Sequence, residues 1–120
     1  MQTSDFIQEN TVELAAVFSA LADPTRLKLL RLLSRQHDPN ALCVSTLASV
    51  LGVTQSNVSQ HLRVLKVIGL VRGERRGYYT HYFVNLEALE HYRKLVADSL
   101  SVGSPLKESL CRNNCRKVGR

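Results

Sequence analysis

A mainly α domain with one β-hairpin is the fold that this sequence predicts. Three observations predict it: apolar residues recur at helical spacing from Val12 to Ile68, strand formers take over from Leu70 to Val84, and helical spacing returns at Leu86. The 120 residues suffice for a single core. We expect residues 1–105 to form that domain and residues 106–120 to form a basic, cysteine-containing tail.

Val12 to Ala22 reads as an amphipathic helix, with Leu14, Val17, Phe18 and Leu21 at helical spacing. Asp23-Pro24 ends it and opens the next helix, because the aspartate can cap exposed amides and a proline at the first helical position forfeits no hydrogen bond. Leu27, Leu29, Leu30, Leu32 and Leu33 give that second helix a broad apolar face through about Ser34, and His37-Asp38-Pro39-Asn40 is loop chemistry. Ser45 is placed to cap a helix of about two turns that Gly52 stops. Thr54 then caps a longer helix, in which Val58, Leu62, Leu65 and Ile68 share one buried face and the opposite face is polar. Leu70–Glu74 and Tyr78–Val84 read as strands flanking a turn at Arg75-Arg76-Gly77, with Tyr78, Tyr79 and Tyr82 packing or bracing the hairpin. Leu86, Leu89, Tyr92 or Arg93, Val96 and Leu100 mark a final helix that ends before Gly103-Ser104-Pro105.

Sixteen lysines and arginines against ten acidic residues leave a net charge of +6, which favours a polyanionic partner. The excess is concentrated. Arg63, Lys66, Arg72, Arg75 and Arg76 oppose only Glu74 between residues 54 and 80, and the tail carries five more basic residues against Glu108. The longest apolar run, Leu14 to Phe18, is far shorter than the ~20 residues that span a bilayer, so no membrane association is expected. The first residues have neither a basic region nor an apolar core of an export signal, and we expect a cytoplasmic protein. In that reducing setting three cysteines, an odd number, read as thiols with a task rather than as a disulfide framework.

Two short helices joined across Gly52-Val53-Thr54 and followed by a hairpin make a winged helix-turn-helix, whose second helix lies in a DNA major groove. The chemistry of that helix agrees. Gln55, Ser56, Asn57, Ser59, Gln60 and Arg63 offer the short donors and acceptors that base edges require, with Gln and Asn suited to adenine and Arg to guanine. His61 has two readings, a DNA contact or a structural imidazole. Arg75 and Arg76 are placed to reach phosphate or a narrow minor groove. A two-fold dimer would present two such helices about 34 Å apart on double-stranded operator DNA. A nonspecific architectural DNA binder is the competing class, and it would lack preference for one site.

The stretches Ala20-Leu21-Ala22-Asp23-Pro24-Thr25-Arg26-Leu27, Leu47-Ala48, Gly52 to Leu62, Gly69-Leu70-Val71 and Arg75-Arg76-Gly77 closely resemble the ArsR/SmtB family of metal-sensing transcription regulators. The resemblance covers roughly residues 12–100. It implies a homodimer, packed through its first and last helices, that represses its own operon until an inducer binds. Arsenite-responsive members carry a Cys-Val-Cys run with a further cysteine three residues on. Here Cys43 keeps the first position, and Ser45 and Ala48 occupy the others. A second family site, of Asp, His and Glu on the last helix, is poorly matched by Asn85, Glu87, Asp98 and Ser101.

Cys111 and Cys115 are four residues apart, which on a helix places both thiols on one face, and Arg112, Arg116 and Lys117 beside them favour thiolate. Trivalent arsenic or antimony takes three thiolates. We therefore expect no permanent cofactor, and an As(III) or Sb(III) inducer site made of Cys43, Cys111 and Cys115. Thiol redox or reactive-sulfur sensing by the same fold is the alternative. Catalysis is not expected, because the chain has no Cys-x5-Arg phosphate loop, no glycine-rich nucleotide loop and no recognised catalytic order of Ser, His and Asp.

Overall fold

A computed structural model of the chain describes residues 8–36, 42–103 and 111. Among them are helices α1 (Thr11–Leu21), α2 (Pro24–Ser34), α3 (Val44–Leu51), α4 (Gln55–Val67) and α5 (Leu86–Ser99). A three-stranded antiparallel sheet of β1 (Leu42–Cys43), β2 (Val71–Arg76) and β3 (Tyr79–Val84) has the order β1-β3-β2. This is the expected winged helix-turn-helix. The expected loop at residues 37–40 lies outside the described residues, as does the tail apart from Cys111.

Capping chemistry fixes most helix starts. The Asp23 carboxylate accepts from the amides of Thr25 (2.8 Å) and Arg26 (3.1 Å), Thr54 Oγ1 from Asn57 (3.0 Å) and Asn85 Oδ1 from Ala88 (3.2 Å). One expected cap is displaced. Ser45 lies inside α3, whose N-cap is Cys43, because Leu42 and Cys43 pair with β3 and deliver the chain directly from strand into helix. At the other end Gly52 adopts φ 70, a left-handed position that glycine takes without penalty, and the chain turns toward α4.

The core is aliphatic. Leu29, Leu30 and Leu33 of α2 meet Leu47 and Ala48 of α3, Val58, Leu62 and Leu65 of α4, and Leu70, Val71 and Val84 beside and on the sheet. At its edge the Tyr92 hydroxyl donates to Ile68 O at 2.7 Å and ties α5 to the end of α4. The last helix departs in part from expectation. Leu95 is its buried residue, whereas Leu86 and Leu100 are both 69% exposed in the single chain.

The hairpin turn is also displaced. Arg75 and Arg76 belong to β2, Arg76 stands opposite Tyr79, and the loop is Gly77-Tyr78, with Gly77 at φ 67. Two adjacent arginines tolerate extended backbone, so the glycine alone decides where the chain reverses. Of the three tyrosines, Tyr82 packs against the core as expected. Tyr78 (92% exposed) and Tyr79 (63%) instead stand in solvent at the tip, which corrects the bracing role expected of them.

Candidate nucleic-acid interface and thiol positions

On α4 the buried face of Val58, Leu62 and Leu65 fixes the rotation of the helix, and the opposite side follows from the 3.6-residue period. Gln55, Ser56, Ser59, Gln60 and Arg63 are all exposed there, and Lys66 extends the stripe toward the C-terminus. Thr54 satisfies the Asn57 amide, while the amides of the first turn and the helix dipole remain suited to a phosphate. Asn57 differs from its neighbours. It is half-buried, and its Oδ1 is buried without a hydrogen-bond partner.

His61 sits at the edge of the buried face, against the start of α2. Arg26 Nη1 lies 3.2 Å from His61 Nδ1, and since a guanidinium only donates, the imidazole accepts. Asp23 Oδ1 is 3.8 Å from the same nitrogen. The Arg26 and Thr25 amides that Asp23 caps hold its carboxyl below the ordinary carboxylate range, against partial desolvation, with a smaller contribution from the charges of His61 and Arg26. Arg26 also donates through Nε to Ala20 O and through Nη2 to Ser19 O at 3.4 Å, so its guanidinium joins the end of α1 to α4. Arg26 was visible in the sequence only as part of a motif. Its partners lie six, seven and thirty-five residues away, separations that periodicity does not reveal.

The wing holds its cations close. Arg75 Nε donates to Gly77 O (3.0 Å), Arg76 Nε to Glu74 Oε1 (3.2 Å), and the Arg72 guanidinium lies 4.5 Å from the centroid of the Phe83 ring. Lys66 reaches over Tyr82 at 5.9 Å, linking α4 to the hairpin.

Cys43 is half-buried at the N-terminus of α3, its sulfur 3.4 Å from Thr46 Oγ1. The Thr46 hydroxyl and the Thr46 and Ser45 amides hold this thiol below its ordinary value, although burial opposes them. Cys111 is exposed, and Cys115 lies outside the described residues. Among the described residues no three His, Cys, Asp or Glu side chains come together as a metal-ligand group. The poorly matched second set is dispersed: Asn85 caps α5 and Glu87 is exposed in its first turn, whereas Asp98 and Ser101 line a cleft of about 540 Å³ with Asn10, Leu14 and Leu95. No helix among the described residues is long and apolar enough to cross a membrane.

Residues 23–72 match the profile described as bacterial regulatory protein, arsR family. The chain is 33% identical over 92 residues to the cadmium resistance transcriptional regulatory protein CadC homolog of Staphylococcus aureus, covering 77% of this chain and 71% of the relative. It is 29% identical over 101 residues to the arsenical resistance operon repressor of Escherichia coli (strain K12), covering 84% of each. An ArsR-like transcriptional regulator from Rhodococcus sp. RHA1 superposes with a TM-score of 0.64 at 31% identity, over 73% of this chain and 79% of that one.

Proposed function

This chain belongs to the arsR family of bacterial regulatory proteins, which are DNA-binding transcriptional regulators and not enzymes, and from that premise we propose a homodimeric repressor that leaves its operator when a thiophilic inducer binds. The observation that carries the reading is the exposed stripe of Gln55, Ser56, Ser59, Gln60 and Arg63 on a helix anchored by three buried side chains. Such a stripe supplies direct readout in a major groove, Arg75 and Arg76 contact the backbone from the wing, and Asn57 and His61 act at the margin of the same surface. Pairing through α1 and α5 is supported by their unpartnered apolar residues: Val12, Phe18, Leu86 and Leu100 are exposed in the single chain.

The inducer in this reading is As(III) or Sb(III), bound by Cys43, Cys111 and Cys115 as thiolates. Support comes from the three thiols, the depressed pKa of Cys43 and the arsenical and cadmium resistance named for its relatives. Because Cys43 caps α3, which packs on α4, ligation there acts next to the reading helix. Inducer and operator then weaken each other equally, by about 1–3 kcal/mol in typical coupled systems. The lowering of the thiol pKa also supports a second reading, release by oxidation or persulfide formation at Cys43.

Operator release followed by fluorescence anisotropy tests both. Arsenite is expected to dissociate the wild-type complex and to leave Cys43→Ser and the Cys111→Ser/Cys115→Ser double variant bound. Release that survives loss of both tail thiols excludes the three-thiolate site, and release by oxidant or persulfide alone selects the second reading.

A further inference from the structure

We propose that Arg26 acts through His61 as a positioning residue for operator recognition, setting the reading helix α4 against the end of α1. The proposal rests on the reading of α4 as the helix that meets base edges, and it names what holds that helix in register with the dimerising part of the chain.

Apolar packing does not by itself reference α1 to α4. Among the described residues α1 brings Leu21 alone to the margin of the main core, and its own buried residues, Val17 and Ala20, lie outside that cluster. Val58, Leu62 and Leu65 anchor α4, but dispersion and hydrophobic burial are non-directional. His61 stands at the edge of that buried face. It is where polar side chains of α2 and α4 meet among the described residues, with Arg26 at 3.2 Å and Asp23 at 3.8 Å.

Arg26 carries the connection on to α1. The last four carbonyls of a helix have no partner within it, and the helix dipole there favours a cation. Arg26 meets both needs, since Nε donates to Ala20 O and Nη2 to Ser19 O at 3.4 Å, in the last turn of α1. Its Nη1 serves His61 Nδ1, and with that nitrogen accepting, the ring proton belongs on Nε2. The His61 side chain is 17% exposed, so the bond is largely shielded from water. Asp23 holds the base of this arrangement, because it accepts the Thr25 and Arg26 amides at the start of α2. A guanidinium is planar and rigid, so three acceptors bound at once are fixed relative to one another. The single ammonium of a lysine on its flexible stem does not reproduce that constraint.

Because α4 is one continuous helix, a rotation permitted at His61 displaces Gln55, Ser56, Ser59, Gln60 and Arg63 together. Base-edge hydrogen bonds depend on direction, whereas phosphate contacts only position the protein. Loss of the Arg26–His61 bond therefore costs sequence preference rather than general DNA affinity.

The test combines the ring ¹⁵N signals of His61 in the full-length protein, recorded with the imidazole neutral, with fluorescence anisotropy on operator and random duplexes. The wild-type ring is expected to carry its proton on Nε2. Arg26→Lys is expected to lower the operator-over-random preference about tenfold while remaining a folded dimer with unchanged affinity for random duplex. His61→Asn, which keeps an acceptor near the place of Nδ1, should retain most of the preference, and His61→Leu should lose it. In the His61→Leu background Arg26→Lys should have no further effect. A wild-type ring protonated on Nδ1 overturns the proposal without any variant, as does wild-type preference in Arg26→Lys, an equal fall on both duplexes, or independent addition of the two losses. Absence of operator preference in the wild type instead removes the reading of α4 on which the proposal stands.

Discussion

On α4, Arg63 and the amide and hydroxyl side chains of Gln55, Ser56, Ser59 and Gln60 stand exposed, whereas on the wing Arg72 covers Phe83, Arg75 reaches back to Gly77 O and Arg76 is paired with Glu74. Under the proposed function the two regions have different tasks. The helix presents directional groups from a backbone that three buried side chains hold in one rotation. The wing presents guanidiniums that each hold an internal partner, and such groups can trade that partner for a phosphate without fixing a base sequence.

Removing the anchor of the helix has the largest expected effect. Leu62 is 1% exposed, and Leu62→Ala should destabilise the fold by about 2–5 kcal/mol in chemical denaturation, since the cavity adds to the lost transfer energy. A smaller change separates the two regions directly. Arg63→Ala should weaken operator binding by about 1–3 kcal/mol and relax preference at one base position, whereas Arg75→Ala should weaken all sequences alike and lower the salt slope by about 1. Equal loss of specificity in both variants would erase the distinction between helix and wing.

The smallest effect concerns the support behind α4. Asp23 has a depressed pKa, so its stabilising contribution is present above the unfolded value near 3.8 and is lost as pH falls through the folded one. Asp23→Asn should therefore flatten the acid limb of thermal stability below about pH 4 and leave the neutral pH dependence unchanged, as measured by calorimetry.

Much of the fold was legible because it is written in short-range patterns. The leucines of α2, the 58-62-65 face of α4, the Asp23-Pro24 junction and the Thr54 cap each act within a few residues. What escaped depends on distant partners or very short elements. β1 has two residues, too few to show alternation, and its pairing with β3 moved the cap of α3 from Ser45 to Cys43. The hairpin loop shifted to Gly77-Tyr78 because extended backbone suits arginine as well as a turn does. His61 turned toward Arg26, a neighbour thirty-five residues away.

The central claim is that α4 reads a particular base sequence while the wing grips the backbone. Competition between operator and random duplex at physiological salt tests it most directly. The account predicts a preference for the operator of about 10³-fold or more, reduced in Arg63→Ala and preserved in Arg75→Ala. Equal affinity of the wild-type protein for both duplexes would contradict it.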